Sequence, residues 1–171
     1  VLDLAAEKSN WGRALPRGVG RGIAITQSFG SIVAQVVEAE IVDGKPRARR
    51  VVCAVDAGFT MHPDGMAAQM ESGIIYGLTA ALYGDISINR GRVVQSNFHD
   101  YKMIRMNEAP LIETHIINGG GGVGGAGEAA TPAIAPALAN AVFDATGVRI
   151  RQLPMKNTVF PERDVESLDV A

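Results

Sequence analysis

Asn118 to Ala130 reads Asn-Gly-Gly-Gly-Gly-Val-Gly-Gly-Ala-Gly-Glu-Ala-Ala, with seven glycines in the nine positions 119–127 and Glu128 directly after them. Backbone so stripped of side chains takes positive φ freely and approaches a ligand closely. Its N–H groups, lying just ahead of a helix start, favour an anionic group such as phosphate. Three chemistries compete for this segment. A dinucleotide fingerprint, G-x-G-x-x-G, matches at Gly119, Gly121, Gly124 and again at Gly122, Gly124, Gly127, but such a match is nearly automatic in so glycine-rich a run. That fingerprint also wants an acidic residue about twenty positions on and a continuing α/β repeat, whereas this chain soon reaches Pro154. A Walker loop ends in Gly-Lys-Ser/Thr, and no Lys occurs between Lys102 and Lys156. The third reading makes Glu128 a general base, a carboxylate held close to a bound group at the end of a flexible run. Against it stands the plainer role of an acid that complements a helix dipole.

A second stripe could also meet a ligand. Gln69, Gly73 and Gly77 recur every four residues on a segment with helical periodicity. Glycine costs about 1 kcal/mol against alanine inside a helix, so two in register need a reason. Either a neighbouring element packs closely there, or a ligand approaches the helix beside Gln69. The single Cys53 excludes an internal disulfide, a cysteine zinc site and an iron–sulfur cluster held by this chain alone. His62, His99 and His115 form no H-x-x-x-H pair, and no metal ligand is assigned to the chain.

The elements that must hold these residues follow from pattern. Residues 1–20 mix charge, Gly and Pro without a sustained period and read as a connecting arm. Ile23, Ile25 and Phe29 alternate with small or polar residues, Ile32 to Val42 is a β-branched run ending at Asp43-Gly44, and Arg47, Arg49, Val51, Cys53 and Val55 share one side of a third run. Residues 22–57 are thus expected as an antiparallel β unit. Met66, Met70, Ile74, Leu78 and Leu82 predict a helix over 66–83, with Asp64 as its N-cap. A hairpin over 85–96 turning at Asn89-Arg90-Gly91, and a strand over 111–117, come next. Thr131-Pro132 opens a second helix, with Thr131 as N-cap, that stops at Gly147. Val148 to Leu153 reads as a short closing strand, and 157–171 as a polar tail.

The 171 residues are 47% apolar, 20% charged and 5% aromatic, with a net charge of −2. This balance argues against broad phosphate neutralisation and so against a nucleic-acid partner. It also argues against disorder. No run reaches the ~18–20 apolar residues of a membrane span. The opening Val-Leu-Asp-Leu carries neither Met nor a signal pattern, so a larger chain or assembly is expected around this one.

Several motifs then converge. Gly-Ala-Gly-Glu (125–128) and the run Thr-Pro-Ala-Ile-Ala-Pro-Ala-Leu-Ala-Asn-Ala-Val-Phe-Asp-Ala-Thr-Gly-Val-Arg-Ile-Arg-Gln-Leu-Pro (131–154) resemble the C-terminal end of the molybdenum hydroxylase large subunit, in the xanthine dehydrogenase/aldehyde oxidase family. Trp11-Gly-Arg-Ala-Leu-Pro, Ser28-Phe-Gly-Ser-Ile-Val-Ala-Gln, Ala68-Gln-Met-Glu-Ser-Gly-Ile-Ile-Tyr-Gly-Leu and Ser96-Asn-Phe-His-Asp-Tyr resemble, more narrowly, its isoquinoline 1-oxidoreductase β subunit and membrane-associated aldehyde dehydrogenase branch. The resemblance is collinear from about Trp11 to Pro154.

It implies a molybdopterin cofactor, in bacterial members often the cytosine dinucleotide form, and oxidation of aldehydes or N-heterocycles with water-derived oxygen. In the family the Glu of Gly-x-Gly-Glu accepts the proton of that oxygen as it attacks the electrophilic carbon, a role that falls to Glu128. Gln69 and Gly73 would lie beside the cofactor, and Gly125, Ala126 and Gly127 would bring backbone N–H groups to it. Electrons would leave through [2Fe–2S] clusters on a small partner subunit toward a cytochrome or other acceptor. The implied partners also include the remainder of the molybdopterin-binding large subunit. Ala126 and Ala129 depart from the usual Val and Pro of the motif. The expected fold is α+β, antiparallel β units with two main helices, with 21–156 as a cofactor-binding C-terminal subdomain. Two other classes stay open: a non-catalytic interaction or cofactor-insertion module, and a dinucleotide-binding domain.

Overall fold

Three long β-branched runs joined by tight turns form a meander, which positions everything else. A computed structural model describes residues 1–160. In it β1 (Val19–Ser28), β2 (Ser31–Val42) and β3 (Lys45–Asp56) pair antiparallel, and β6 (Leu111–Ile117) adds beside β3. That last pairing is parallel, from Arg50 opposite Leu111 to Asp56 opposite Ile117. The sheet is therefore mixed, dominated by antiparallel ladders. A parallel neighbour needs a crossover. Helix α2 (Pro63–Leu82) and the small hairpin of β4 (Ile88–Asn89) and β5 (Arg92–Val93) supply it. Helix α3 (Thr131–Thr146) follows, then a 3-10 turn at Met155–Asn157.

The expected alternation of β3 is broken. A bulge opposite Glu38 and Ala39 changes its parity, so Ala48 and Val51 both face the core while Arg47 and Arg49 are exposed. Beyond the bulge Val51, Cys53 and Val55 keep their shared side. Cys53 is fully buried, and that burial pushes its thiol up to about 12 despite an opposing contribution from the Gln35 amide. It is a core hydrophobe, as its strand position predicts.

Helices α2 and α3 cover one sheet face. Met70, Ile74 and Leu78 from α2, and Ile134, Leu138 and Val142 from α3, are fully buried against Val33, Val37, Val51 and Val55. His62, rather than Asp64, caps α2: its Nδ1 accepts from the Gly65 N–H at 2.7 Å, and Pro63 takes the first turn. Ala130, rather than Thr131, occupies the α3 cap position, and the Thr131 hydroxyl donates to the Gly73 carbonyl at 3.3 Å. Gly147 closes α3 in the left-handed region at φ 74°.

The opposite face carries helix α1 (Leu2–Lys8), which no apolar period announced within the segment read as an arm. Its Ala5 is buried against Ala34, Val36, Val52 and Ala54. Arg50 Nη2 donates to the Lys8 carbonyl (3.2 Å), and Arg21 Nη1 to those of Asn10 (3.1 Å) and Arg13 (3.0 Å). Two sheet arginines thus fasten this stretch. Residues 148–153 form no strand. The outer edge of β1 is already occupied by α3, whose Asp144 accepts from the Arg21 N–H and whose Asn140 donates to the Ile23 carbonyl. Of the expected tail, 161–171 lie outside the described residues. No helix among the described residues is long and apolar enough to cross a membrane.

Glycine makes the α3 seat possible. A Cβ on Gly22 would overlap the Ala137 carbonyl and the Ala141 nitrogen, and one on Gly20 the backbone at Ala141 and Ala145. Gly22→Ala is expected to lower unfolding free energy by ~2 kcal/mol or more, whereas Gly121→Ala, with open space around it, stays near neutral; denaturant titration of both variants checks this.

Across the other face Arg50 grips Glu113 in two bonds, Nε to Oε1 at 2.6 Å and Nη2 to Oε2 at 3.1 Å. The Arg50 hydrogen bonds hold the Glu113 carboxyl below the usual carboxylate range, against a smaller burial penalty. Stability from this pair is fully present above the unfolded carboxylate pKa and is lost as pH falls through the depressed folded value. Glu113→Gln should therefore be less stable than wild type at neutral pH, with the difference closing in acid. Paired urea titrations across pH 3–7 (about the carboxylate range) measure it.

Candidate functional site

The glycine run crosses from the end of β6 to the start of α3 and passes over the β1–β2 turn. Three bonds pin its later part. The Gly124 N–H donates to the Ala57 carbonyl (2.9 Å), the Gly125 N–H to that of Phe29 (2.8 Å), and the Ser31 hydroxyl to that of Gly125 (2.7 Å). A Cβ at Gly124 would overlap the Ser31 hydroxyl, and one at Gly125 would sit 2.8 Å from Phe29 Cβ. These glycines are required by the approach of two backbones.

Among the described residues no acceptor is found for the N–H groups of Ala126 and Gly127. Glu128 follows, its carbonyl accepting from the Thr131 N–H at 3.0 Å. Its carboxylate has no hydrogen bond or ion pair among the described residues and is exposed. Ala129 and Ala130 are fully buried, and the fully buried Gln35 donates from Nε2 to the Ala130 carbonyl at 2.7 Å.

Glu128 and Gly127 line a cavity of about 370 Å³ with Phe29, Ser72, Gly73, Tyr76, Thr131 and Pro132. It is open on one side and has an apolar and aromatic rim: Tyr76 is 70% and Phe29 64% exposed. Of the residues read from sequence, Gly73, Gly127 and Glu128 meet here. Gln69 lies one turn before Gly73 on the same helix stripe, exposed and without a partner among the described residues. Ala126 is half-buried against the core and absent from the cavity lining, while the N–H of Gly125 is spent on Phe29. A larger cleft of about 450 Å³ on the far side of α3, with Asn140, Arg149 and Arg151 in its wall, holds none of these residues.

The alternatives left for Gly73 and Gly77 separate at this point. A Cβ on Gly73 would lie 3.1 Å from Ala130 Cβ, and one on Gly77 would overlap Ile134 Cγ2. Close packing of α2 on α3 explains both glycines, although Gly73 also reaches the cavity.

Phe29, Tyr76 and Gln35 carried no role in the sequence reading. Phe29 extended the β1 alternation there, but it occupies the turn, at φ 55° ahead of Gly30 at φ 77°. Hairpin turns of that geometry favour Asn, Asp or Gly at the first position, so a bulky aromatic there is an unfavourable local choice. The Phe-Gly pair was the available signal. Tyr76 could have been found as an aromatic one turn from Ser72 on the polar side of α2, and Gln35 as the lone amide in the β2 run.

Residues 5–110 match the family model described as molybdopterin cofactor-binding domain. The chain is 37% identical over 161 residues to the isoquinoline 1-oxidoreductase subunit beta of Brevundimonas diminuta, and 32% identical over 164 residues to a membrane-bound aldehyde dehydrogenase [pyrroloquinoline-quinone] of Gluconacetobacter polyoxogenes. Each alignment covers 91% of this chain and 21% of the relative, so the chain spans about a fifth of the length of these proteins. Among solved structures, quinoline 2-oxidoreductase from Pseudomonas putida 86 superposes with a TM-score of 0.64 over 72% of this chain and 17% of that one, at 22% identity. At that identity the likeness shows the fold alone. By the family match over residues 5–110 and these relatives, the chain belongs to the molybdopterin cofactor-binding domain family of the molybdenum hydroxylases.

Proposed function

We propose that this chain forms one wall of the molybdenum site in a hydroxylase that oxidises an aldehyde or an N-heterocycle with water-derived oxygen, and that Glu128 is its general base. The observation that carries the reading is an unpartnered carboxylate at the mouth of the 370 Å³ cavity, on a turn fastened on both sides by hydrogen bonds. A base must be within reach of the proton it takes and must not be tied up in an ion pair. Glu128 meets the second condition in this chain.

The residues present fit the cofactor. Ala126 and Gly127 offer two backbone donors without acceptors, Gln69 offers an amide, and Gly127 leaves open space where a side chain would stand. Donors of this kind suit the carbonyl, ring-nitrogen and phosphate acceptors of a pterin, and a cytosine dinucleotide form adds further phosphate. Bound against this wall, the molybdenum cofactor would supply the acceptor for the two electrons of the oxidation. A carboxylate oxygen of Glu128 takes the proton that the water-derived oxygen sheds as it joins the substrate carbon, and returns it to solvent when product leaves. Phe29 and Tyr76 share the cavity lining with that carboxylate. Residues 21–156 form the cofactor-binding subdomain. The remainder of the large subunit completes the pocket, and a small subunit bearing [2Fe–2S] clusters passes electrons to a cytochrome or other acceptor.

Glu128→Gln in the assembled enzyme should lower kcat by about 10²–10⁴-fold with molybdenum and pterin content unchanged. Near-normal turnover would return Glu128 to complementing the helix dipole. A native assembly free of molybdenum and pterin would mark the chain as a non-catalytic interaction or cofactor-insertion module. Gly127→Val tests the donor wall separately. Nothing lies within 4 Å of its added Cβ, so thermal stability should hold while metal analysis and pterin fluorescence show cofactor loss.

A further inference from the structure

We propose that Gln35, a buried amide on the central strand β2, is a positioning residue for Glu128. The inference rests on the reading of Glu128 as the base and names what holds it in place. Gln35 is fully buried between Val33 and Val37 of the same face, where an apolar residue would cost nothing in hydrogen bonding. A buried amide is unfavourable unless paired. Here Nε2 donates to the Ala130 carbonyl at 2.7 Å, while Oε1 is buried without a hydrogen-bond partner among the described residues. The amide is therefore kept at some cost to the core.

Satisfying an orphaned carbonyl does not explain it. Ala130 occupies the cap position of α3, and a cap carbonyl already accepts the first bond of its helix. What the Gln35 bond adds is location. It joins β2 to the turn 128–131, in which Thr131 N–H donates back to Glu128. On the upstream side Ser31 and Phe29 hold Gly125. Between Gly125 and Ala130 lie only Ala126, Gly127, Glu128 and Ala129. Losing the Gln35 bond removes the tie from the sheet to this turn and loosens its downstream end, so the exposed carboxylate samples more positions.

Gln35→Met keeps the volume and removes the donor. In the assembled holoenzyme, amide hydrogen exchange at residues 129–131, which are buried or hydrogen-bonded, should speed up by about tenfold, the loss of one hydrogen bond. Turnover should fall about ten- to a hundredfold through misplacement of the carboxylate, with KM within about twofold and cofactor content unchanged. If exchange in that segment matches wild type, or if it quickens while kcat is unchanged, the positioning role is overturned. Gln35→Leu repeats the test with a second apolar side chain should the Met variant fail to assemble. Glu128→Gln in parallel distinguishes the two failures. Retained turnover in that variant removes the base reading, whereas the exchange result still reports whether Gln35 holds the turn.

Discussion

The direct seating of α3 on glycine is the contact on which the remainder of the architecture depends. At Gly20 and Gly22 the helix backbone lies against β1, and at Gly73 and Gly77 its first turns lie against α2. At Gly20 and Gly22 backbone meets backbone, and at Gly73 and Gly77 the α2 backbone meets Ala130 Cβ and Ile134 Cγ2, so the placement of strand and two helices is set largely by backbone shape, which cannot repack as a leucine interface can. The N-terminus of α3 is thereby fixed in two directions at once. Glu128 stands three residues before that N-terminus. A site built on such a contact inherits its precision.

Much of the fold was readable because the strongest signals are local. The Met70, Ile74, Leu78 stripe and the β-branched run over 32–42 each satisfy one period and one face, and both became the elements expected. The misreadings share a cause, which is that tertiary partners override local preference. The bulge at Arg49 changes which side chains face inward, and cross-strand register sets its place. Helix α1 is only seven residues and lacks a stripe of its own; Arg21 and Arg50 reach across to fasten its C-terminal end and the residues after it. Thr131 leaves the capping role because Gly73 offers its hydroxyl an acceptor from another helix. Val148 to Leu153 has strand-like residues, yet Asn140 and Asp144 already serve the edge of β1.

The candidate site was legible in part for the same reason. A glycine run ending in an acid is visible in one dimension, and so is a helix bearing Gln69 and Gly73. What one dimension hides is the division of labour among the glycines. Gly124 and Gly125 admit the β1–β2 turn, Gly73 and Gly77 admit α3, and Gly127 faces open space. Identical residues thus serve packing at some positions and leave open space at others. Separating them requires knowing what a Cβ would meet, and that depends on segments nearly a hundred residues apart.

The exposure of Glu128 is consistent with this division. Gly127, the Glu128 carboxylate and the rings of Phe29 and Tyr76 share the lining of the open cavity. For the base role proposed for Glu128, closure of that open side matters, since excluding water strengthens each electrostatic interaction inside. Phe29 and Tyr76 are large apolar groups exposed beside that carboxylate, and apolar rims around convergent polar groups mark surfaces that bind. Phe29 pays for its place with a left-handed backbone, and its carbonyl also secures Gly125. One strained residue therefore fastens the loop and presents the ring. That economy is intelligible if the open side is where the cofactor and the rest of the subunit complete the pocket.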